Sequence, residues 1–440
     1  MFQAVEMPAA PCASSLPGPG GCCRLAGAGR AVARQEEPVP VNVLFLSPHF
    51  PPQYHLFCRA LADEGVTVLG LADAPPEALA PELADVLDDY CRVPDMSRYD
   101  DVLKAVAGLI HRHGRIDRID SLNEHWLELE AQLREDFNVP GQRPADTARN
   151  RSKSAMRETF HAAGVPCSEG ERYTSADQAR SLARKFGYPL VFKPDVGVGA
   201  AHTFRVDSDA ALNKVLEQPL DGFVIERFER GRLTSYDGLT GADGRIVYAT
   251  SHIFSTGIMD IVNNQLTMDY YSRRSIPPLL VELGRKVVAA FGVRERFFHA
   301  EFFESEQGGF RALEINVRPP GGFTTDMMNY GANIDVYKLW AKVLTHQDLS
   351  GFSFERTFHV AHVGRRDELT YRVPHDEVVR AMGARLILTG PMPPILAGAM
   401  GDTFYMLRDP DEASLLKAIA MIEAMAQGGR SDGVGAVVDR

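Results

Sequence analysis

Short apolar runs alternate with segments whose apolar positions recur at helical spacing, and this alternation begins at residue 41. Residues 41–47 (VNVLFLS) are almost continuously apolar, as in a strand covered on both faces of a parallel sheet. A Pro-rich turn follows, then a predicted helix over 53–64 and a second strand at 66–71. Within 100–112, Val102, Leu103, Val106, Leu109 and Ile110 recur at the spacing of one helical face. A strand at 118–122 and a helix at 124–135 complete the series. Strands and helices in alternation predict a small doubly wound α/β domain over residues 41–140.

Residues 138–150 (NVPGQRPADTARN) are polar and contain proline, and read as a connection between domains. A helix over 151–163 carries Lys153 and stops at Gly164, with Pro166 two residues on. In 187–206 (GYPLVFKPDVGVGAAHTFRV) a strand at 190–193 passes through a small-residue turn to a returning strand at 203–206. Lys193 lies inside that apolar strand, and a buried ammonium needs an anion. With Gly197 and Gly199 in the turn, backbone N–H groups can close over phosphate oxygens, a reading favoured over a plain Gly-rich hairpin. A helix at 208–217 and a strand at 222–228 (GFVIERF) lead to a hinge over 226–231, where a carboxylate can accept from an adenine amino group. Strands at 236–239, 245–250 and 252–254 and a helix at 278–291 follow. Farther on come a core helix at 334–344, strands at 358–363 and 403–407, and a closing helix at 412–425.

The stretch 298–322 (FHAEFFESEQGGFRALEINVRPPGG) reads as a hairpin, 298–304 and 310–316, turned at Gly308-Gly309. Residues alternate sides along a strand, so Glu314 and Asn316 share a face, and Glu301 can meet them from the partner strand. Two carboxylates and an amide oxygen make a hard-oxygen site suited to Mg²⁺ or Mn²⁺. Arg318 can reach the same pocket as a phosphate partner. An acidic hairpin with a solvated face is the bland alternative; the lysines and glycine turn upstream, in workable order, weigh against it. Arg273 and Arg274 (DYYSRRSIP) are candidates for bidentate binding of a substrate carboxylate, and His299 for contact with a reacting oxygen. Gly321 and Gly322 are candidates for backbone approach to substrate.

Length and charge narrow the classes. A chain of 440 residues has room for roughly three domains. A net charge of −11 lacks the basic footprint of a general nucleic-acid binder. No apolar run approaches the about 20 residues that cross a membrane. Six cysteines without C-x-x-C spacing suggest neither a zinc framework nor a disulfide scaffold, and a cytoplasmic setting is expected. Cys167 has no evident His partner in the sequence and reads as structural. Residues 1–40, rich in Ala, Gly and Pro, are expected to be a disordered tail, and 427–440 a loose one. The first turn, SPHFPPQ, lacks the G-x-G-x-x-G that lets a backbone approach a pyrophosphate, so a bound NAD is not expected. His49, His55, Asn123, Glu124 and His125 lie near strand ends, where open α/β sheets bind ligands, although each alone is more often a turn or capping residue.

Taken together, the lysine in RSKSAMRETFHAAGVP, the lysine in GYPLVFKP, the glycine turn, the hinge FVIERFERG and HAEFFES…LEINVRPPGG resemble the ATP-grasp superfamily. The likeness is to its dipeptide ligases and its biotin carboxylase and carbamoyl-phosphate synthase branch. The resemblance implies an α+β catalytic part after the doubly wound domain, with one lobe over 141–230 and a larger one over 231–426. It implies ATP and Mg²⁺, with Lys153 and Lys193 at phosphates, and Glu226, Arg227, Phe228 and Glu229 at the adenine and hinge. Glu301, Glu314 and Asn316 would hold metal, and Arg318 the transferring phosphoryl group. Many members carry a glutamate for the ribose where this chain has Leu233, which shifts that role to Asp237 or Glu229. The implied reaction joins a carboxylate to an amine through an acyl phosphate, on small amino-acid-like substrates; a homodimer is commonly the assembly. A nucleotide or metabolite sensor, or a bicarbonate-using carboxylase-like enzyme, are the alternatives.

Overall fold

A computed structural model describes residues 41–197, 202–255 and 268–426; the two expected tails and Gly199 lie outside the described residues. Strands β1 (Asn42–Leu46), β2 (Thr67–Ala72), β3 (Asp89–Arg92) and β4 (Arg118–Asp120) form a parallel sheet in the order β3-β2-β1-β4. The apolar run of β1 is explained by its two faces. Val43 and Phe45 pack with Phe57 and Leu61 of the helix His55–Asp63. Leu44 and Leu46 pack with Val102, Val106 and Leu109 of the helix Tyr99–His113 on the other side. This is the doubly wound arrangement.

One predicted connection is corrected. Pro144–Arg151 is a helix, with Pro at its first turn and Asp146 accepting from the backbone N–H of Arg143 at 3.1 Å. Proline fixes a helical φ where no N–H is needed, so a stretch read as a polar link is a helix start. The predicted helix beside it runs Lys153–Ala162.

Strands β5 (Gly170–Arg172), β6 (Leu190–Pro194), β7 (Phe204–Val206) and β8 (Phe223–Arg227) make a second, antiparallel sheet in the order β5-β8-β6-β7. The third sheet is larger and antiparallel. It comprises β9 (Arg232–Thr240), β10 (Ile246–Thr250), β11 (His252–Phe254), β12 (Asp269–Ser272), β13 (Phe297–Glu304), β14 (Phe310–Asn316), β15 (His359–Arg365), β16 (Leu386–Pro391) and β17 (Thr403–Asp409). Trp340 and Tyr337 of the helix Val336–Leu344 join Phe297 of β13 to the β1 layer through Phe57. A buried ionic cluster reinforces that junction: Arg296 donates to Glu130 at 2.8 Å and to Asp120 at 3.2 Å, and Arg134 donates to Glu130 at 2.9 Å.

At the far side of the large sheet, the helix Glu412–Glu423 packs on β15 and β17. Its last residue, Glu423, meets Asp269 of β12. Burial and the neighbouring Asp269 carboxyl push Glu423 up to about 8 from an ordinary 4.5. A carboxyl whose folded pKa is raised stabilises the fold below its unfolded pKa and loses that contribution as pH rises through the folded one. Stability measured by urea unfolding should therefore fall between pH 5 and about 9. Glu423→Gln, which keeps a hydrogen bond without the titration, should flatten that fall.

Candidate active site

The hairpin forms as its alternation predicts, and its register sets the chemistry. Glu301 stands directly opposite Glu314, and His299 opposite Asn316. The register then slips, leaving Leu313 of β14 unpaired beside Glu314; such bulges re-aim neighbouring side chains. Asn316 Nδ2 donates to Glu314 Oε1 at 3.1 Å. Glu301 and Asn316 are buried and Glu314 is half-buried.

Behind Glu301 runs a chain of buried polar groups. His299 Nε2 lies 3.0 Å from Glu301 Oε1, and its Nδ1 lies 2.6 Å from Asp237 Oδ1. The other Asp237 oxygen takes His252 Nδ1 at 2.6 Å and the Ser235 hydroxyl. Burial opposes charge on both partners, yet the imidazoles hold Asp237 well below the carboxylate range, while Asp237 and Glu301 push His299 up to about 10. Two expectations are corrected here. Asp237 has no exposed surface and both its oxygens are engaged, and both ring nitrogens of His299 are taken up by Asp237 and Glu301. Leu233 packs with Phe254 and Tyr270 in an apolar cluster, which keeps ribose contact away from that position as well.

The two lysines come from different elements and are tied by a residue the sequence did not single out. Asp195, just past β6, accepts from the Ser154 backbone N–H at 2.7 Å and from the Ser152 and Ser154 hydroxyls at 3.0 and 2.9 Å. Its carbonyl takes the Lys153 N–H at 2.9 Å. The start of the Lys153 helix is thus pinned to the strand that carries Lys193. Lys153 Nζ donates to the Gly197 carbonyl at 3.3 Å. Burial pulls the Lys153 pKa down; Glu314, Glu226 and Glu124 raise it and Lys193 lowers it further, so the ammonium lies in the field of the hairpin.

Lys193 sits 2.7 Å from Glu226 Oε2, and Arg157 holds the other Glu226 oxygen. The anion that the buried Lys193 requires is therefore Glu226, which corrects the expectation of a carboxylate free to accept from adenine. Beyond it, Arg227 lies 4.0 Å from Glu169, Phe228 lies under the Arg205 guanidinium at 4.6 Å, and Glu229, raised by burial, is 3.6 Å from Arg311.

Arg318 donates to Glu124 Oε2 through Nε at 3.1 Å and Nη2 at 2.7 Å, joining the hairpin's exit to the β4 end. Burial opposes its charge, but Glu124 outweighs it and the pKa is raised; Glu314 and Tyr54 also contribute. Gln53 Nε2 reaches the Gly322 carbonyl at 2.8 Å. Gly322 has φ +63°, and a Cβ there would come within 2.5 Å of Met400, so this position requires glycine. Gly321 is exposed, and its carbonyl accepts from the Thr324 hydroxyl at 2.7 Å. Of the other strand-end candidates, Asn123 caps the turn at His125, His125 packs on Trp126, His55 bonds the Pro52 carbonyl and His49 lies 3.7 Å from Asp73.

Arg273 and Arg274 are not brought to the site. Arg273 pairs with Glu304, three residues along β13 from Glu301 and so on the opposite face of the sheet; Arg274 bonds the Arg356 and Pro410 carbonyls. Cys167 does have a histidine neighbour, His161 Nε2 at 3.7 Å, but burial pushes its thiol pKa up, away from a nucleophile.

No family model matches the chain. Its architecture is that of the crystal structure of an L-amino acid ligase from Bacillus licheniformis, with a TM-score of 0.68 over 87% of this chain and 97% of that one, at 16% identity. The chain has the ATP-grasp fold. The biotin carboxylase domain of Hydrogenobacter thermophilus 2-oxoglutarate carboxylase, solved with MgADP, ADP and bicarbonate, matches this chain with a TM-score of 0.62 at 15% identity, covering 88% of this chain and 90% of that one. By sequence, it is 21% identical over 258 residues to the L-arginine-specific L-amino acid ligase of Bacillus subtilis. That match takes in 56% of this chain and 62% of the relative, less than two thirds of its length. No helix among the described residues is long and apolar enough to cross a membrane.

Removing the Asp195 side chain tests how the lysines are held. Asp195→Ala should cost about 1–2 kcal/mol of stability through the lost helix-start bonds. It should also weaken ATP binding, measured by calorimetry, by about tenfold or more, while Asp195→Asn retains part of both. Unchanged ATP affinity in a folded Asp195→Ala protein would contradict this reading of the site.

Proposed function

We propose that this chain is an ATP-dependent ligase that joins a carboxylate to an amine through an acyl phosphate, releasing ADP and phosphate, on small amino-acid-like substrates. The observation that carries it is the convergence on one sheet face of Glu301, Glu314 and Asn316, with the Lys153 ammonium and the Arg318 guanidinium both in the field of Glu314.

The donor set fits Mg²⁺ or Mn²⁺. Among the described residues no three acidic, His or Cys side chains are grouped as an all-protein cage. Two carboxylates and an amide oxygen suit an ion that takes its remaining ligands from phosphate and water. Such an ion, when bound, supplies charge neutralisation at phosphoryl oxygens. Glu301, held from behind by His299, and Glu314, held by Asn316, are the residues that would hold it.

A free carboxylate resists attack by an amine because oxide is a poor leaving group. Its oxygen attacks the γ-phosphorus of ATP and ADP departs; the amine then attacks the acyl carbon and phosphate leaves. The chain's part is to orient reactants and neutralise charge. In this reading Lys153 and Lys193 contact the phosphates, Lys193 with its partner Glu226 beside it, Arg318 contacts the transferred group, and Glu229 is the hinge carboxylate for the nucleoside. No side-chain nucleophile is required.

Phosphate release with pooled amino acids as acids and amines, followed by mass spectrometry of the product, tests the proposal. A condensed product and ADP are expected, with turnover lowered by about 100-fold or more in Glu314→Gln while the fold is retained. Saturable ATP binding without ADP release under any substrate pair would replace the ligase with a sensor. Turnover that depends on bicarbonate would place the chain with the carboxylase-like reading, to which the Hydrogenobacter likeness gives its support.

A further inference from the structure

A cavity of about 610 Å³ is lined by Arg273, Arg274, Arg356 and His359, together with Glu355 and Glu412. Through Arg273 it adjoins Glu304, which projects from the sheet face opposite Glu301, so the cavity is separate from the proposed ATP site. Its size is that of pockets holding small metabolites.

The arginines are held in a particular way. Arg274 Nε donates to the Arg356 carbonyl at 3.3 Å, and Arg356 Nε donates to the Arg274 carbonyl at 2.9 Å. Arg274 Nη1 also reaches the Pro410 carbonyl at 2.8 Å, and Arg356 Nη1 the Ala249 carbonyl at 2.9 Å. This reciprocal exchange ties the two arginines to each other, each guanidinium bonded to the other's backbone carbonyl. Neither has a carboxylate within 4.0 Å among the described residues. Carbonyls satisfy two of the five N–H groups on each guanidinium but neutralise no charge. Of the acids nearby, Glu304 is shared by Arg273 and Arg232, Glu412 accepts from the Tyr271 hydroxyl at 2.9 Å, and Glu355 is exposed at the cavity wall, more than 4.0 Å from either guanidinium. His359 donates Nδ1 to the Ser272 carbonyl at 3.0 Å, which leaves Nε2 as its other polar atom. Planar guanidiniums fixed in this way, with donors to spare, match the geometry of a carboxylate or phosphate.

We propose that this cavity binds a small oxyanion-bearing metabolite, carboxylate or phosphate, at a site distinct from that of ATP. The anion is held by Arg274 and Arg356 and supplies the negative charge that neither has from a carboxylate among the described residues.

Calorimetric titration of the full chain with inorganic phosphate and, separately, with succinate, both in saturating MgADP, tests this. One of the two should bind at one site per chain; which one binds identifies the oxyanion class. Arg274→Ala and Arg356→Ala should each weaken it by about tenfold or more. Because the arginine variants also lose carbonyl bonds, Ser275→Glu provides a second route. Ser275 is exposed on the cavity wall, and a negative charge there should weaken binding as strongly without touching those bonds. Binding of neither anion at 10 mM overturns the proposal, as does binding that survives Ser275→Glu. The readout is binding, so it stands whether or not ligase turnover is found.

Discussion

Two carboxylates facing each other across a hairpin repel, and the arrangement of Glu301 opposite Glu314 persists only because neighbouring groups offset that repulsion. His299 gives Glu301 a hydrogen bond from an imidazole that Asp237 keeps charged, and His252 and Ser235 in turn hold Asp237. Asp237 and His299 face each other in register on adjacent strands, so the relay is built into the pairing of β9 with β13. Removing one member would leave a buried charge without its partner, a loss typically worth about 3–5 kcal/mol. The relay thereby holds Glu301 in place opposite Glu314, as the proposed cation site requires.

The positive groups are brought to that face by elements far apart in the chain. Lys193 is carried by the second sheet and Lys153 by a helix whose start that sheet captures through Asp195. Arg318 leaves the hairpin itself and is braced by Glu124 from the first sheet. The buried cluster of Arg296, Asp120, Glu130 and Arg134 locks the first sheet onto the base of β13, so the brace has a fixed origin. Lys153 and Arg318 therefore each depend on an acidic residue from another layer, whereas Lys193 is held by Glu226 of its own sheet.

What the sequence could reveal follows from how local each feature is. The double-sided burial of β1 and the shared face of Glu314 and Asn316 are written in adjacent positions, where strand alternation alone decides them. The lysine on β6 was legible because an ammonium in an apolar run demands an anion, but the identity of that anion, Glu226, depends on the pairing of β6 with β8. Asp195 carried no local signal beyond following Lys193-Pro194, since its partners lie on a helix more than forty residues earlier. Arg273 and Arg274 looked like substrate ligands because adjacent arginines suggest an anion; the pairing of β13 with β9 put Glu304, and Arg273 with it, on the other face. The helix Pro144–Arg151 was hidden by polarity, its stability resting on a proline start and a capping carboxylate rather than an apolar stripe.

The central claim is that Glu301, Glu314 and Asn316 grip a divalent ion together with a nucleotide triphosphate. Electron paramagnetic resonance of free Mn²⁺ measures it most directly. Free-ion signal should be lost on adding the protein together with ATP, beyond the loss with ATP alone, and Glu301→Gln combined with Glu314→Gln should abolish that extra loss in a folded chain. Equal Mn²⁺ uptake by the double variant and the unaltered protein would contradict the account.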